Sequence, residues 1–163
     1  MQKDVKIYVA SPLGFSEAGR DFMYAKIIPK IIELGYAVLD PWKLTSEELI
    51  KPILAMPIGI EKNLALADMN WIIGKNNDKA INISTGLLAI LDGVDVDSGT
   101  ASEIGGASML GKPILGYRGD FRLSSDNTGS IVNLQVEYFI KRNGGKIITK
   151  IDDLQKELKL LFG

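Results

Sequence analysis

The sequence predicts a single α/β domain over residues 1–163, with a five-stranded parallel sheet covered by helices on both faces. Three observations predict it. Short, β-branched apolar runs alternate with longer stretches of helical period, the pattern of parallel strands joined by crossover helices. Glycines close helical stretches just before the next apolar run, as at Gly35 and Gly111. One run empties into an acidic, glycine-bearing loop, where an open α/β sheet usually places its ligand.

Val5 to Ala10 reads as the first strand, being short, β-branched and aromatic, and it ends in the loop Ser11-Pro12-Leu13-Gly14-Phe15-Ser16. Ser16 is an N-cap residue type, Glu17 and Asp21 suit a helix start, and the helix is expected to run to about Leu34 with a kink or break at Pro29. Tyr36 to Leu39 is the second strand, closed by Asp40-Pro41-Trp42. From Thr45 to about Ile83 the pattern is mainly helical, with interruptions expected near Pro52 and Pro57 and around Gly74. Gly86 to Leu91 is the third strand and Thr100 to Leu110 a helix. Pro113 to Tyr117 is the fourth strand, Gly119 to Thr128 a polar loop and Ile131 to Arg142 a helix. Lys146 to Ile148 forms a short fifth strand, and Ile151 to Phe162 an amphipathic closing helix. Right-handed crossovers bring the carboxyl ends of strands one, three and four to one rim, which makes neighbours of the Ser11 loop and the loop from Asp92 to Glu103.

Composition removes several kinds of chemistry. With no Cys and no His, thiolate and imidazole ligands are missing, so no metal is expected and no disulfide can form. Acid, base and nucleophile roles fall to carboxylates and tyrosines. The formal net charge is −1, with Lys and Arg scattered among Asp and Glu, so no nucleic-acid polymer is expected as a partner. No apolar stretch approaches the roughly twenty residues of a membrane span. The opening Met1-Gln2-Lys3-Asp4-Val5 begins no apolar signal region, and with the lack of cysteine the expected location is the cytoplasm. The Ser11 loop carries neither the glycines of a dinucleotide fingerprint nor those of a P-loop, so no cofactor is expected.

The densest chemistry lies between Leu91 and Gly105, where Asp92, Asp95, Asp97 and Glu103 fall close together. Thr100-Ala101-Ser102-Glu103 matches a capping box, and local sequence alone favours Glu103 bonding back to the Thr100 amide. The functional reading places a first-turn carboxylate at the positive end of the helix dipole, which favours its ionised form. A fixed, ionised carboxylate is a competent nucleophile for an anomeric carbon. A calcium loop is not predicted, since Asp97 stands where the central Gly is needed and no entering helix precedes Asp92. Tyr8, taken alone, is an ordinary strand aromatic.

Taken together, these segments resemble the nucleoside 2-deoxyribosyltransferase family. The resemblance runs through Ile7-Tyr8-Val9-Ala10-Ser11-Pro12-Leu13-Gly14-Phe15, Asn77 and Ile81, and Leu88-Ala89-Ile90-Leu91-Asp92-Gly93. Its most specific element is Asp95-Val96-Asp97-Ser98-Gly99-Thr100-Ala101-Ser102-Glu103-Ile104-Gly105, with a last echo in Val132-Asn133-Leu134-Gln135. It implies a flavodoxin-like (Rossmann-like) three-layer sandwich and transfer of 2-deoxyribose from one nucleobase to another, as in nucleoside salvage. Partners would be a deoxynucleoside and a free base, without a cofactor.

The resemblance further implies roles. Glu103 matches the nucleophile that forms a deoxyribosyl-enzyme intermediate, and Tyr8 the tyrosine that holds it. Asp97 matches an acidic position lining the site. Asn77 matches a place where some members carry an Asp to protonate the departing base; an Asn cannot, which leaves Asp92 or Asp97 as the carrier. Ser11, Pro12, Leu13 and Phe15 would line the pocket with Gly93 and Gly99, and Asp40 and Trp42 would stack on or contact the base, unless Trp42 packs in the core. Asn133 matches a residue that reaches a neighbouring subunit's site, implying a homo-oligomer. Two other functions stay open: hydrolysis of deoxynucleosides or their 5-monophosphates through the same Glu103, and a non-catalytic nucleotide-binding domain.

Overall fold

A computed structural model describes residues 4–163; the opening Met1 to Lys3 lies outside the described residues. The sheet is five-stranded and wholly parallel in the order β2-β1-β3-β4-β5, with β1 Lys6–Ala10, β2 Ala37–Leu39, β3 Gly86–Ile90, β4 Ile114–Tyr117 and β5 Lys146–Ile148. This is the flavodoxin-like order, whose switch point lies between β1 and β3. The strands' alternation sorts the core onto two faces. Tyr8, Ala10, Leu87, Ala89 and Leu91 meet α4 (Ile60–Ile83), α5 (Ser98–Met109) and α6 (Leu134–Lys141). Ile7, Val9, Leu88, Ile90 and Leu115 meet the helices of residues 17–32 and α7 (Leu154–Phe162).

The expected kink at Pro29 takes a specific form. The helix runs as α1 Glu17–Phe22, a π-helical turn Met23–Ile27 and α2 Ile28–Ile32, without a break. Pro29 has no N–H to give the preceding turn, and widening that turn absorbs the defect. The wide turn also serves packing. Gly19, Met23, Ile27 and Ile31 are buried at strict four-residue spacing, and an unbroken α-helix would rotate them off the core by about 40° per step.

Two expected interruptions do not occur. Pro52 lies inside α3 (Glu47–Leu54), and Gly74 lies inside α4, which runs unbroken for 24 residues. The break falls at Ala55 to Gly59, around Pro57. The helix expected to begin at Thr100 begins at Ser98 instead. Asp97 is its N-cap, with Oδ2 accepting from the Thr100 amide at 3.0 Å and its hydroxyl at 3.3 Å. Aspartate is at least as good a cap as threonine, so the residue three positions earlier takes the end. The helix expected from Ile131 starts at Leu134, capped by Asn133.

The loops leaving β3 and β4 are stitched to each other. Arg118 is 2% exposed, and its guanidinium donates to the carbonyls of Leu91, of Gly93 at 3.2 Å and of Arg122 at 2.8 Å. In return, Asp92 Oδ1 accepts from the amides of Gly119 at 2.6 Å and Asp120 at 2.9 Å. Gly93 turns between them at φ +136°, a region glycine alone occupies readily. Truncating Arg118 would leave the buried Leu91 carbonyl and the part-buried carbonyls of Gly93 and Arg122 without this donor. Arg118→Met should therefore lower unfolding free energy by about 3 kcal/mol, seen as a lower urea midpoint at unchanged slope.

Candidate active site

A cavity of about 380 Å³ opens at the carboxyl ends of β1, β2 and β3, lined by Ser11, Phe15, Pro41, Trp42, Asn70, Ile73, Asn77, Asp97, Gly99, Thr100 and Glu103. The volume is at the small end of the range for small-molecule sites. Its walls differ in chemistry. Phe15, Pro41, Trp42 and Ile73 give one end an apolar and aromatic surface, with amides from Asn70 and Asn77. Asp97, Gly99, Thr100 and Glu103 give the other end two carboxylates at the start of α5. Among the described residues, no Lys or Arg lines the cavity.

Glu103 projects from the second turn of α5 toward the sheet. Tyr8, fully buried in β1, donates its hydroxyl to Glu103 Oε1 at 2.5 Å. Tyr8 points toward α5 because it shares a sheet face with Ala10, while Ile7 and Val9 point the other way. Burial dominates the ionisation of Glu103 and, with the nearby Asp97 charge, pushes its pKa up to about 7 against the lowering pull of the Tyr8 hydroxyl. The helix dipole was expected to favour the ionised form. With the cap at Asp97, Glu103 sits beyond the first turn, where that effect has faded, and desolvation decides. The capping-box contact is likewise absent, since Thr100 is not the cap. Tyr8 is pushed far above the ordinary phenol range by burial and by Glu103, so its hydroxyl keeps the proton it donates.

Of the other residues singled out in the sequence, Ser11, Phe15, Trp42, Asn77, Asp97 and Gly99 line the cavity, and Pro12, Leu13, Asp92, Gly93 and Asn133 do not. Pro12 starts the short 3₁₀ turn Leu13–Phe15, and Leu13 packs against the opposite core face. Asp92 and Gly93 serve the stitch between loops. Asn133 caps α6, its Oδ1 accepting from the amides of Gln135 at 3.0 Å and Val136 at 3.4 Å. It lines a separate cleft of about 370 Å³ with Val94, Asp95, Ser124, Ser125 and Asp126.

The sequence reading missed Pro41, Asn70, Ile73 and Thr100. Asn70 and Ile73 share a helical face with Asn77, so their i−7 and i−4 spacing from Asn77 carried the signal. Gly14 was also missed as a site residue. A Cβ there would lie 2.1 Å from Cε2 of Trp42, so only glycine lets the indole rest on this backbone. The Asn77 Oδ1 is buried without a hydrogen-bond partner, a cost usually repaid by a ligand or water. Among the described residues, no cluster of three or more acidic side chains is arranged to hold a metal ion, and no helix is long and apolar enough to cross a membrane.

Comparison with known proteins bears on this arrangement. The sequence profile described as nucleoside 2-deoxyribosyltransferase matches residues 7–135. A conserved protein from Enterococcus faecalis V583 superimposes with a TM-score of 0.66 at 25% identity, over 96% of this chain and 98% of that one. A 2-deoxyribosyltransferase from Bacillus psychrosaccharolyticus gives 0.59 at 24% identity, over 93% and 90%. A CMP N-glycosidase from Clostridium botulinum gives 0.55 at 19% identity, over 95% and 98%. The last two share the fold. No curated protein sequence matches the chain.

Holding a carboxylate in this site costs stability. Between the ordinary glutamate pKa of 4.5 and about 7, the folded chain keeps a proton on Glu103 that the unfolded chain releases. Stability therefore falls as pH rises through that window. Glu103→Gln, which keeps the acceptor for Tyr8 and carries no charge, should be more stable than the parent by about 2–3 kcal/mol at pH 8. Urea unfolding across pH should show the two proteins converging near pH 4.5.

Proposed function

The chain belongs to the nucleoside 2-deoxyribosyltransferase family, and we propose that it moves 2-deoxyribose between nucleobases in nucleoside salvage, with Glu103 as the nucleophile. The observation that carries this reading is the Glu103 carboxylate, hydrogen-bonded by a buried Tyr8 and facing a cavity with an aromatic, amide-bearing end. In the first step a Glu103 oxygen attacks the anomeric carbon. The C–N bond breaks, and its electron pair leaves with the base, which takes up a proton at nitrogen. In the second step a nitrogen of the incoming base attacks the same carbon from the vacated face. The ester bond to Glu103 breaks, the carboxylate is restored and the incoming base loses its proton, so protons balance over the cycle. Two inversions give net retention.

The base takes the aromatic end, against Trp42 and Phe15, with the Asn70 and Asn77 amides along its edge. The sugar takes the carboxylate end, where Asp97 accepts a hydroxyl. Asp97, rather than Asp92, is then the candidate carrier of the base proton, because Asp97 lines the cavity and Asp92 does not. Asn133 serves the site of a second copy. Its amide nitrogen reaches only Asp126, at 3.4 Å, and exposed Val94, Phe121 and Leu123 flank the region.

One observation supports this reading over hydrolysis of a nucleoside 5-monophosphate, the substrate type suggested by the CMP N-glycosidase likeness. A phosphate calls for clustered cationic or amide donors. A cavity lined by two carboxylates and, among the described residues, by no Lys or Arg favours an uncharged nucleoside.

Incubation with deoxyinosine and adenine, followed by chromatography, should yield deoxyadenosine. Hypoxanthine released at the same rate without an acceptor would instead indicate a hydrolase. No reaction with deoxyinosine, deoxyadenosine or thymidine would indicate a binding domain. For the parent, kcat/KM should rise with pH through about 7, as Glu103 loses its proton. Tyr8→Phe removes the bond that favours the carboxylate, so this acid limb should move to higher pH and exchange should slow by about 10- to 100-fold, checked by a pH–rate profile.

A further inference from the structure

Asp40 is a buried carboxylate, 6% exposed, that the proposed chemistry does not use. Both of its oxygens are engaged. Oδ1 accepts from the backbone amide of Trp42 at 3.1 Å, and Oδ2 accepts from the hydroxyl of Tyr24 at 2.8 Å. Asp40 is thus the N-cap of the 3₁₀ turn Pro41–Lys43, which carries Trp42 into the cavity wall. The last residue of that turn returns to the same tyrosine, with Lys43 Nζ 4.2 Å from the Tyr24 ring centroid. Tyr24 therefore holds the turn at both ends, by its hydroxyl through Asp40 and by its ring under Lys43. It does so from the π-helical segment Met23–Ile27 and lines no part of the cavity.

Trp42 meets three further constraints. Its Nε1 donates to the Ser11 carbonyl at 3.3 Å, its ring rests on Gly14, and Phe15 meets it edge-on at 4.7 Å between centroids. These contacts fix the ring against the loop that leaves β1. The Asp40 contact fixes the backbone from which the ring hangs. Burial, and then the bond to Asp40, push the Tyr24 pKa up to about 12, so the hydroxyl remains a donor across the working pH range.

We infer that Tyr24 is a positioning residue for nucleobase binding: acting through Asp40, it holds Trp42 as a rigid wall of the cavity. This rests on the reading that the aromatic end receives the base. A wall fixed before binding spares the base the cost of ordering it, so loosening the wall weakens binding and leaves the chemistry at Glu103 alone.

The sequence contains two tryptophans, Trp42 and the exposed Trp71, so Trp71→Phe leaves Trp42 as the only indole reporter. In that background, Tyr24→Phe removes the hydroxyl and keeps the ring under Lys43. It should steepen acrylamide quenching of Trp42 and raise KM for the acceptor base by about three- to tenfold. Turnover should stay within about twofold, and the acid limb near pH 7 should not move. Asp40→Asn, whose amide can still bridge the Trp42 amide and the Tyr24 oxygen, should keep quenching near the parent value. Unchanged quenching in Tyr24→Phe, or a fall in turnover at unchanged KM, would overturn the assignment. If Tyr24→Phe does not fold, Asp40→Ala cuts the same link and is read by the same criteria. Quenching needs no substrate. A parent protein without base exchange would therefore remove the proposed function, while the quenching comparison would still decide whether Tyr24 holds Trp42.

Discussion

The hydrogen bond from Tyr8 to Glu103 joins the two parts of the molecule on which the site depends. Tyr8 belongs to β1 and Glu103 to α5, residues far apart in sequence that meet because β3 lies beside β1 and α5 follows β3 on the face that Tyr8 points to. A one-residue slip of β1 would turn Tyr8 to the opposite layer and leave Glu103 buried without a donor. The bond also sets a balance of charge. Desolvation favours the neutral carboxyl, the Tyr8 hydroxyl favours the ion, and Asp97 tips the balance further toward the neutral form. The resulting pKa of about 7 follows from position in the fold.

Around this bond, the strand exits supply the rest of the cavity by different means. The exit of β1 gives Ser11 and Phe15 and a glycine on which an indole can lie. The exit of β2 gives Pro41 and Trp42 on a turn capped by Asp40. The exit of β3 gives Asp97 and the start of α5, on a loop fastened to the exit of β4 by Arg118 and Asp92. The cavity lies at the switch point of the sheet, where loops on either side diverge and leave a crevice. The β2 and β3 exits are each anchored by a buried polar group, Asp40 and Arg118, that does not itself line the cavity.

Much of this was legible in the sequence. The apolar runs locate all five strands to within a residue or two, since central parallel strands are buried on both faces and read as continuous hydrophobic stretches. Tyr8, Asp97 and Glu103 were named from sequence, and they meet. What was not legible falls into two kinds. Local rules compete, as where Asp97 and Thr100 are both good caps, or where Pro52 and Gly74 are poor helix formers that tertiary packing overrides. Long-range contacts leave no local trace: nothing near Asp92 announces that its carboxylate is committed to the amides of Gly119 and Asp120, and nothing near Tyr24 announces Asp40. The Asn70 and Ile73 wall belongs to a helix with little amphipathic contrast, so only the phase of Asn77 pointed to it.

A carboxylate of pKa about 7 suits a reaction in which one group must both attack and depart. In the proposed double displacement, Glu103 is the nucleophile of the first half and the leaving group of the second. Desolvation strengthens it as a nucleophile, because a less solvated and more basic carboxylate attacks an anomeric carbon more readily. The same basicity makes the ester slower to break. The Tyr8 hydroxyl works on that second requirement, since a donor on the carboxyl group stabilises the negative charge that returns to it as the ester breaks. Burial without Tyr8 would give a trapped intermediate, and Tyr8 without burial a weak nucleophile. The pairing of a fully buried tyrosine with a partly buried glutamate therefore fits a site that must pass through the ester in both directions.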